Sequence, residues 1–275
     1  MRYKITLEYD GTDYVGFQIQ PNGPSIQAEL ERALKLMTKG QEITVYGSGR
    51  TDSGVHALGQ VIHIDYPAAI EPDSLLRALN SITSQAIRIL EVLPVEDIFH
   101  ARFHAKDKTY LYRVSLDHFM SPFKTRYALH HPYPTDISRI QEALQAIKGK
   151  HDFTSFCSTK TDKVNLVRTI YRAEASYQPV ENEIHFIFQG DGFLYNMVRI
   201  LVGTCLQIGD GLKPVDELER LLAVKDRNQA GPTAGAQGLF LQSVGYLSFE
   251  QRAAWTQAWL DGKIKDQNQS IRDEK

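Results

Sequence analysis

Apolar side chains alternate through Tyr3, Ile5, Leu7 and Tyr9, so residues 3–9 read as a strand with one buried face. A turn-rich stretch follows, with Gly11, Gly16, Pro21, Gly23 and Pro24. Ser25 then caps a helix that aligns Ile26, Leu30, Ala33, Leu34 and Met37 on one side. Residues 43–46 predict a second strand running into a Gly-rich loop at 47–54. Residues 60–66 predict a third strand, 73–80 a helix and 86–93 a fourth strand. A similar order then recurs. Residues 109–116 read as a strand, and 136–148 as a helix with Ile137, Ile140, Leu144 and Ile147 in register. Strands are expected at 166–177 and 183–189, joined by a turn near Glu181 and Asn182. Residues 194–208 are apolar almost all round, which predicts a buried helix with Gly209 as its C-terminal cap. A short helix at 214–224, opened by Pro214, and a strand at 239–247 complete the pattern. The repeated order predicts an α+β protein of two related halves, meeting near residues 100–108. Residues 248–275 read as a polar tail. Phe249, Ala253, Trp255 and Trp259 suit a helix in its first part, and the last dozen residues are expected to be loose.

Composition narrows the class without naming a partner. The 275 residues are 42% hydrophobic and 23% charged, as in ordinary globular chains. The net charge of −2 argues against a globally basic nucleic-acid binder, but Lys and Arg can still be gathered on one face. Cys157 and Cys205 lie far apart in apolar settings and read as buried thiols. The start of the chain runs straight into strand-like alternation, so no signal peptide is expected. The longest apolar stretch, Met197 to Ile208, is interrupted by Arg199, Gly203 and Gln207 and is too short to span a bilayer. A soluble cytoplasmic protein is the expectation.

Four runs could carry chemistry. In Gly47-Ser48-Gly49-Arg50-Thr51-Asp52-Ser53-Gly54-Val55-His56-Ala57, glycines frame one Arg, one Asp and one His. They permit a sharp turn and close approach of a large ligand. The alternative is a tight connection in which Asp52 caps a turn and Arg50 pairs with it. No Gly-Lys-Ser/Thr follows, so a P-loop fits poorly, and no helix clearly follows the glycines as a dinucleotide site would need. Residues 99–113 interleave His100, Arg102, His104, Lys106, Lys108 and Arg113 with Phe103, Tyr110 and Tyr112, the mixture that nucleic-acid surfaces use. His100 and His104 have the helical spacing of a metal pair, but the segment reads extended and no third ligand is evident. Residues 190–203 place Arg199 in an apolar helix, where it needs a carboxylate or phosphate partner, with Asp52 and Asp191 as candidates. Residues 231–241 form a Gly-rich entry into the last strand.

Together these runs resemble the TruA-type tRNA pseudouridine synthases. The G-R-T-D-x-G-V-H-A pattern stands at 49–57, with Ser53 where Ala is common. The Y-D-G-T-x-Y-x-G-[WF]-Q-x-Q-P opening stands at 9–21, with Phe17 for the usual Trp. His-Asp-Phe-Thr-Ser-Phe-Cys at 151–157, Gly-Phe-Leu-Tyr-Asn-Met-Val-Arg-Ile at 192–200 and the terminal Gly-Leu-Phe-Leu also fit, in order, across roughly residues 1–247. The resemblance implies two ferredoxin-like (RRM-like) subdomains, 1–105 and 106–247, with joined antiparallel and mixed sheet and the active cleft between them. It implies an isomerase acting on uridines 38, 39 and 40 in the tRNA anticodon stem-loop. A homodimer is expected to bind tRNA across both subunits, with no metal and no organic cofactor. Asp52 is the expected nucleophile, kept ionised by Arg199. Because the target base lies in a stem, it must be flipped out. Arg50 would then fill the vacated space or hold the backbone, and Tyr110 would stack on the uracil. Tyr112 is expected in the core, and His56 in a structural or phosphate-binding role. The rivals are a metal-dependent phosphohydrolase using Asp52 with His56, His100 and His104, and an RNA-binding module without catalysis.

Overall fold

The computed structural model describes residues 1–160 and 164–262. The strands are β1 (Arg2–Tyr9), β2 (Tyr46–Gly47), β3 (His56–Asp65), β4 (Ile87–Pro94), β5 (Ala105–Ser115), β6 (Leu129–His130), β7 (Gly149–Asp152), β8 (Val167–Gln178), β9 (Glu183–Gly190) and β10 (Leu239–Tyr246). The helices are α1 (Ile26–Met37), α2 (Pro72–Ile82), α3 (Ile137–Ala143), α4 (Met197–Gly209), α5 (Glu217–Val224) and α6 (Phe249–Leu260). The architecture is α+β, built on one mixed sheet in the order β4-β1-β3-β10-β5-β9-β8-β7, with β2 on β3 and β6 on β5.

The alternation of β1 buries Tyr3, Ile5, Leu7 and Tyr9, and β9 buries Ile184, Phe186 and Phe188 the same way. Each fully buried large apolar side chain contributes about 1.5–3 kcal/mol. Ser25 caps α1 by accepting from the Ala28 amide at 3.2 Å. Ser25→Ala should cost about 1 kcal/mol. In α4 every residue except Arg199 and Gln207 is buried, as its all-round apolar sequence predicts.

β10 positions the site. It runs parallel to β3, with Phe240 opposite His56 and Leu241 opposite Ala57. It runs antiparallel to β5, with Leu239 opposite Tyr112 and Leu241 opposite Tyr110. The last strand of the chain thus brings the end of the 47–55 loop and Tyr110 to the same stretch of sheet.

Several boundaries differ from expectation. Residues 43–45 are not strand, although Ile43 and Val45 are buried. The Val45 amide donates to Glu31 at 3.0 Å and its carbonyl accepts from Gln27 at 3.2 Å, so α1 side chains stand in for a strand neighbour. β3 begins at His56 rather than at residue 60, because β10 supplies pairing that no local pattern reveals. The helix expected at 136–148 tightens to a 3-10 turn at Leu144–Ile147, and α4 starts only after Asn196 takes a left-handed φ of 62°. The helix expected from residue 214 is regular only from Glu217. Gly209 does not follow α4 but ends it. A Cβ there would lie 2.6 Å from Thr135 and 2.8 Å from Ile140, so close packing explains the glycine, and Gly211 takes the positive φ. The first part of the tail is a docked helix. In α6, Trp255 stacks on Phe103 at 6.1 Å, Thr256 hydrogen-bonds His104 at 3.2 Å, and Arg252 pairs with Glu96. The last dozen residues lie outside the described ones.

Candidate active site

The loop from Ser48 to Val55 is gripped from two sides. On one side is the segment from Tyr9 to Phe17. The Tyr9 hydroxyl meets the Thr51 hydroxyl at 2.9 Å, and the Phe17 amide donates to the Thr51 carbonyl at 3.2 Å. The Gly54 amide and the Ser53 hydroxyl both donate to the Tyr14 carbonyl at 3.3 Å. The two segments touch backbone to backbone. A Cβ on Gly11 would fall 2.0 Å from the Val55 carbonyl oxygen, and one on Gly16 (φ +117°) 2.5 Å from that of Thr51. On the other side, the Gln60 amide donates to the Gly49 carbonyl at 2.9 Å and the Lys108 ammonium to the Ser48 carbonyl at 2.7 Å. Sequence reasoning did not assign Tyr9, Gly11, Gly16, Gln60 or Lys108 to the site. The signal was present, since the Tyr-Asp-Gly-Thr opening and the basic and aromatic run at 99–113 supply the pieces that hold the loop.

Asp52 stands where the loop turns. Its carbonyl closes the turn by accepting from the Val55 amide at 3.1 Å. Its carboxylate caps nothing: among the described residues it accepts no hydrogen bond, and its one ionic neighbour is the Arg199 guanidinium at 4.0 Å. That separation is the outer edge of an ion pair. Arg199 is itself fixed by donating to the Ala234 carbonyl at 2.7 Å and to the Asn196 side chain at 3.0 Å. Asp191 is engaged elsewhere, accepting from the Thr169 amide at 2.9 Å. Burial raises the Asp52 carboxyl above its ordinary value, and the Arg199 charge opposes that rise without cancelling it.

Tyr110 is buried beside them. Its ring meets Phe193 edge-on at 5.0 Å, and burial, then the Tyr9 hydroxyl and the Asp52 charge, push its phenol upward. Its hydroxyl has no hydrogen-bond partner among the described residues. Tyr112 lies fully in the core and donates to the Gly235 carbonyl at 2.6 Å. Arg50 is exposed and has no side-chain partner among the described residues, so it neither pairs with Asp52 nor joins the Asp52–Arg199–Tyr110 group.

The histidines of these runs are held by internal contacts. His56 is buried. Its Nδ1 accepts from the Gly11 amide at 3.1 Å while its Nε2 donates to the Arg126 carbonyl at 2.9 Å, and burial lowers its pKa. The Asp10 carboxylate, 3.2 Å from Nδ1, opposes that lowering. His100 and His104 lie in a compact turn, not in an extended segment. The Arg102 and Phe103 amides donate to His100 Nδ1, and the His100 amide to His104 Nδ1. Burial lowers His63 and His100 to about 3 and His104 to about 4. Among the described residues no group of three His, Cys, Asp or Glu suits a metal ion. Cys157 and Cys205 are both buried and are not joined in a disulfide. No helix among the described residues is long and apolar enough to cross a membrane.

The arrangement offers a carboxylate with free lone pairs, a guanidinium held just short of it, and a buried tyrosine that feels the carboxylate's charge. Comparison with known proteins gives this geometry a context. The sequence profile of the family described as tRNA pseudouridine synthase matches residues 5–104 and 143–247, which include Asp52 and Arg199. The chain is similar to tRNA pseudouridine synthase A of Latilactobacillus sakei, at 52% identity over 245 residues covering 89% of this chain and 98% of that one. It is 53% identical to the protein of that name from Lacticaseibacillus casei over 244 residues, 89% of this chain and 99% of that one. The Geobacillus protein of that name is 48% identical over 245 residues, again 89% and 98%. A chain from the Crystal Structure of a Cbf5-Nop10-Gar1 Complex covers 95% of this chain and 57% of its own, at a TM-score of 0.36 and 12% identity, too low to carry an argument.

Proposed function

The chain belongs to the tRNA pseudouridine synthase family, a family of isomerases, and we propose that it converts uridine to pseudouridine at nucleotides 38, 39 and 40 of the tRNA anticodon stem-loop, with Asp52 as nucleophile. The observation that carries this reading is the Asp52 carboxylate, held by a doubly gripped loop yet without a hydrogen bond among the described residues, facing Arg199 at 4.0 Å.

The reaction breaks the bond from uracil N1 to ribose C1′, turns the base, and joins C1′ to C5. N1 gains a proton and C5 loses one. Nothing is oxidised or reduced, so the chemistry requires no redox cofactor. An unpartnered carboxylate is suited to adding covalently to the substrate and leaving again. Arg199 counters the burial penalty on Asp52, which favours the ionised, nucleophilic form. A stem nucleotide must leave the stack to reach Asp52. Tyr110 gives the extruded uracil an aromatic partner, and its hydroxyl is a candidate to move the C5 proton. Arg50, exposed two residues before Asp52, is suited to fill the vacated space or hold the displaced backbone.

The same reading divides the chain into a 1–105 subdomain carrying the Asp52 loop and a 106–247 subdomain carrying Tyr110 and Arg199, with the cleft between them. The place of β10 between β3 and β5 supports that division. It also takes the protein as a cytoplasmic homodimer that binds tRNA across both subunits. Purified protein mixed with unmodified tRNA, with no added cofactor, should form pseudouridine at these three nucleotides when mapped by position. Formation elsewhere, or none, would overturn the assignment.

A further inference from the structure

We propose that a pocket beside Arg199, lined by Ser158, Thr159, Arg227, Asn228 and Thr233, holds a phosphodiester of the RNA backbone next to the reacting uridine. The assignment rests on the RNA-modifying reading above and adds a subsite to it.

The pocket's chemistry is one-sided. Three hydroxyls, a carboxamide and a guanidinium line it, so every lining side chain can donate a hydrogen bond and none is a carboxylate. Arg227 is locked rather than neutralised. It donates to the Gly231 carbonyl at 3.0 Å and to the Thr233 hydroxyl at 3.1 Å, and among the described residues no carboxylate lies in ion-pair reach. The neighbouring Asp226 is committed to its own turn, accepting from the Asn228 amide at 2.9 Å and the Gln229 side chain at 3.2 Å. A fixed cation among neutral donors, with its entropy already lost, is a site for an oxyanion.

Its position ties it to the reaction. The Ser158 amide donates to the Tyr195 carbonyl, and the next residue, Asn196, accepts from Arg199. On the opposite wall, Thr233 is followed by Ala234, whose carbonyl also accepts from Arg199. Both walls are therefore one residue away from the groups that fix the partner of Asp52. The same 231–238 stretch passes the catalytic loop, where a Cβ on Gly54 would meet Ala236 at 3.4 Å. A flipped nucleotide carries phosphates on both sides of its ribose, and a chain of net charge −2 must place its phosphate contacts locally.

The test is equilibrium binding of an anticodon stem-loop RNA to the full-length protein, in an Asp52→Asn background, across a range of KCl concentrations. Arg227→Gln should weaken binding about tenfold and reduce the slope of log Kd against log salt by about one. Arg227→Lys should restore the slope. Asn228→Asp puts a negative charge in the pocket without touching the Arg227 hydrogen bonds, and it carries the test if Arg227→Gln fails to fold. It should weaken binding at least as much, and because the Asn228 side chain also reaches Asp226, its fold is checked by circular dichroism. Unchanged affinity and slope in folded Asn228→Asp would overturn the proposal. So would inorganic phosphate that binds the pocket in the wild-type protein yet leaves RNA affinity unchanged at matched ionic strength, which would make free phosphate the occupant. If the unsubstituted protein binds no RNA, the RNA-modifying reading itself fails, an outcome distinct from failure of the pocket.

Discussion

Residues 47–57 and residues 99–104 are alike in composition, each mixing Arg and His with small or aromatic neighbours. Folded, they part completely. In 99–104 the polar atoms are consumed: His100 and His104 accept backbone amides, their protonation is suppressed to about 3 and 4, and Trp255 of α6 covers Phe103. In 47–57 the backbone is held by Tyr14, Phe17, Gln60 and Lys108, and the Thr51 hydroxyl and His56 ring are engaged, while the Asp52 carboxylate and the Arg50 guanidinium are left without hydrogen bonds among the described residues. A satisfied polar group stabilises the fold. A polar group held rigidly and left unsatisfied is available to a substrate.

Substitutions should separate the two regions. The largest effect short of removing Asp52 is expected from Arg199→Ala. It should lower kcat by about 10²-fold or more and move the acid limb of the rate–pH profile upward, since burial already raises Asp52 and Arg199 is what opposes it. A single-turnover pH profile checks both. Tyr110→Phe keeps the ring, so RNA affinity should hold while turnover falls by about 10²-fold if the hydroxyl moves a proton. Equal turnover would leave stacking as its role. On the other region, Trp255→Ala should cost about 2 kcal/mol in denaturant unfolding with kcat unchanged.

The histidines make the same point through pH. His63, His100 and His104 have folded values below the unfolded value of about 6.5. The unfolded chain therefore binds protons that the folded chain refuses. Their contribution to stability is full above about pH 6.5 and is lost as the pH falls toward about 4, by up to about 1.4 kcal/mol per pH unit for each ring. Urea midpoints measured across that window should fall with acid. A flat profile would mean these rings are open to water. The smallest effect is Arg50→Ala, which should leave the melting temperature in place and weaken RNA binding only a few-fold.

Much of this was legible in the sequence, for local reasons. The alternation of β1, the Ser25 cap and the all-round apolar α4 are written within a few residues of where they act. Asp52, Arg199 and Tyr110 are singled out by the ordered set of motifs along the chain, not by their own neighbourhoods. What was hidden depends on contacts far apart in the chain. The extension of β3 to His56 needs β10, nearly two hundred residues later. The missing strand at 43–45 reflects α1 side chains taking its backbone groups, and the glycine at 209 reflects Thr135 and Ile140. The docking of α6 was obscured because its apolar residues form no single stripe, so no sequence pattern pointed to Phe103.

The most direct measurement is single-turnover pseudouridine formation by Asp52→Asn on unmodified tRNA, with RNA binding followed in parallel. The substitution keeps the shape of the side chain and removes its charge and nucleophilicity. No pseudouridine should be detectable at any of the three nucleotides, while RNA affinity is retained. Product formation by this variant at more than a trace of the wild-type rate would contradict it.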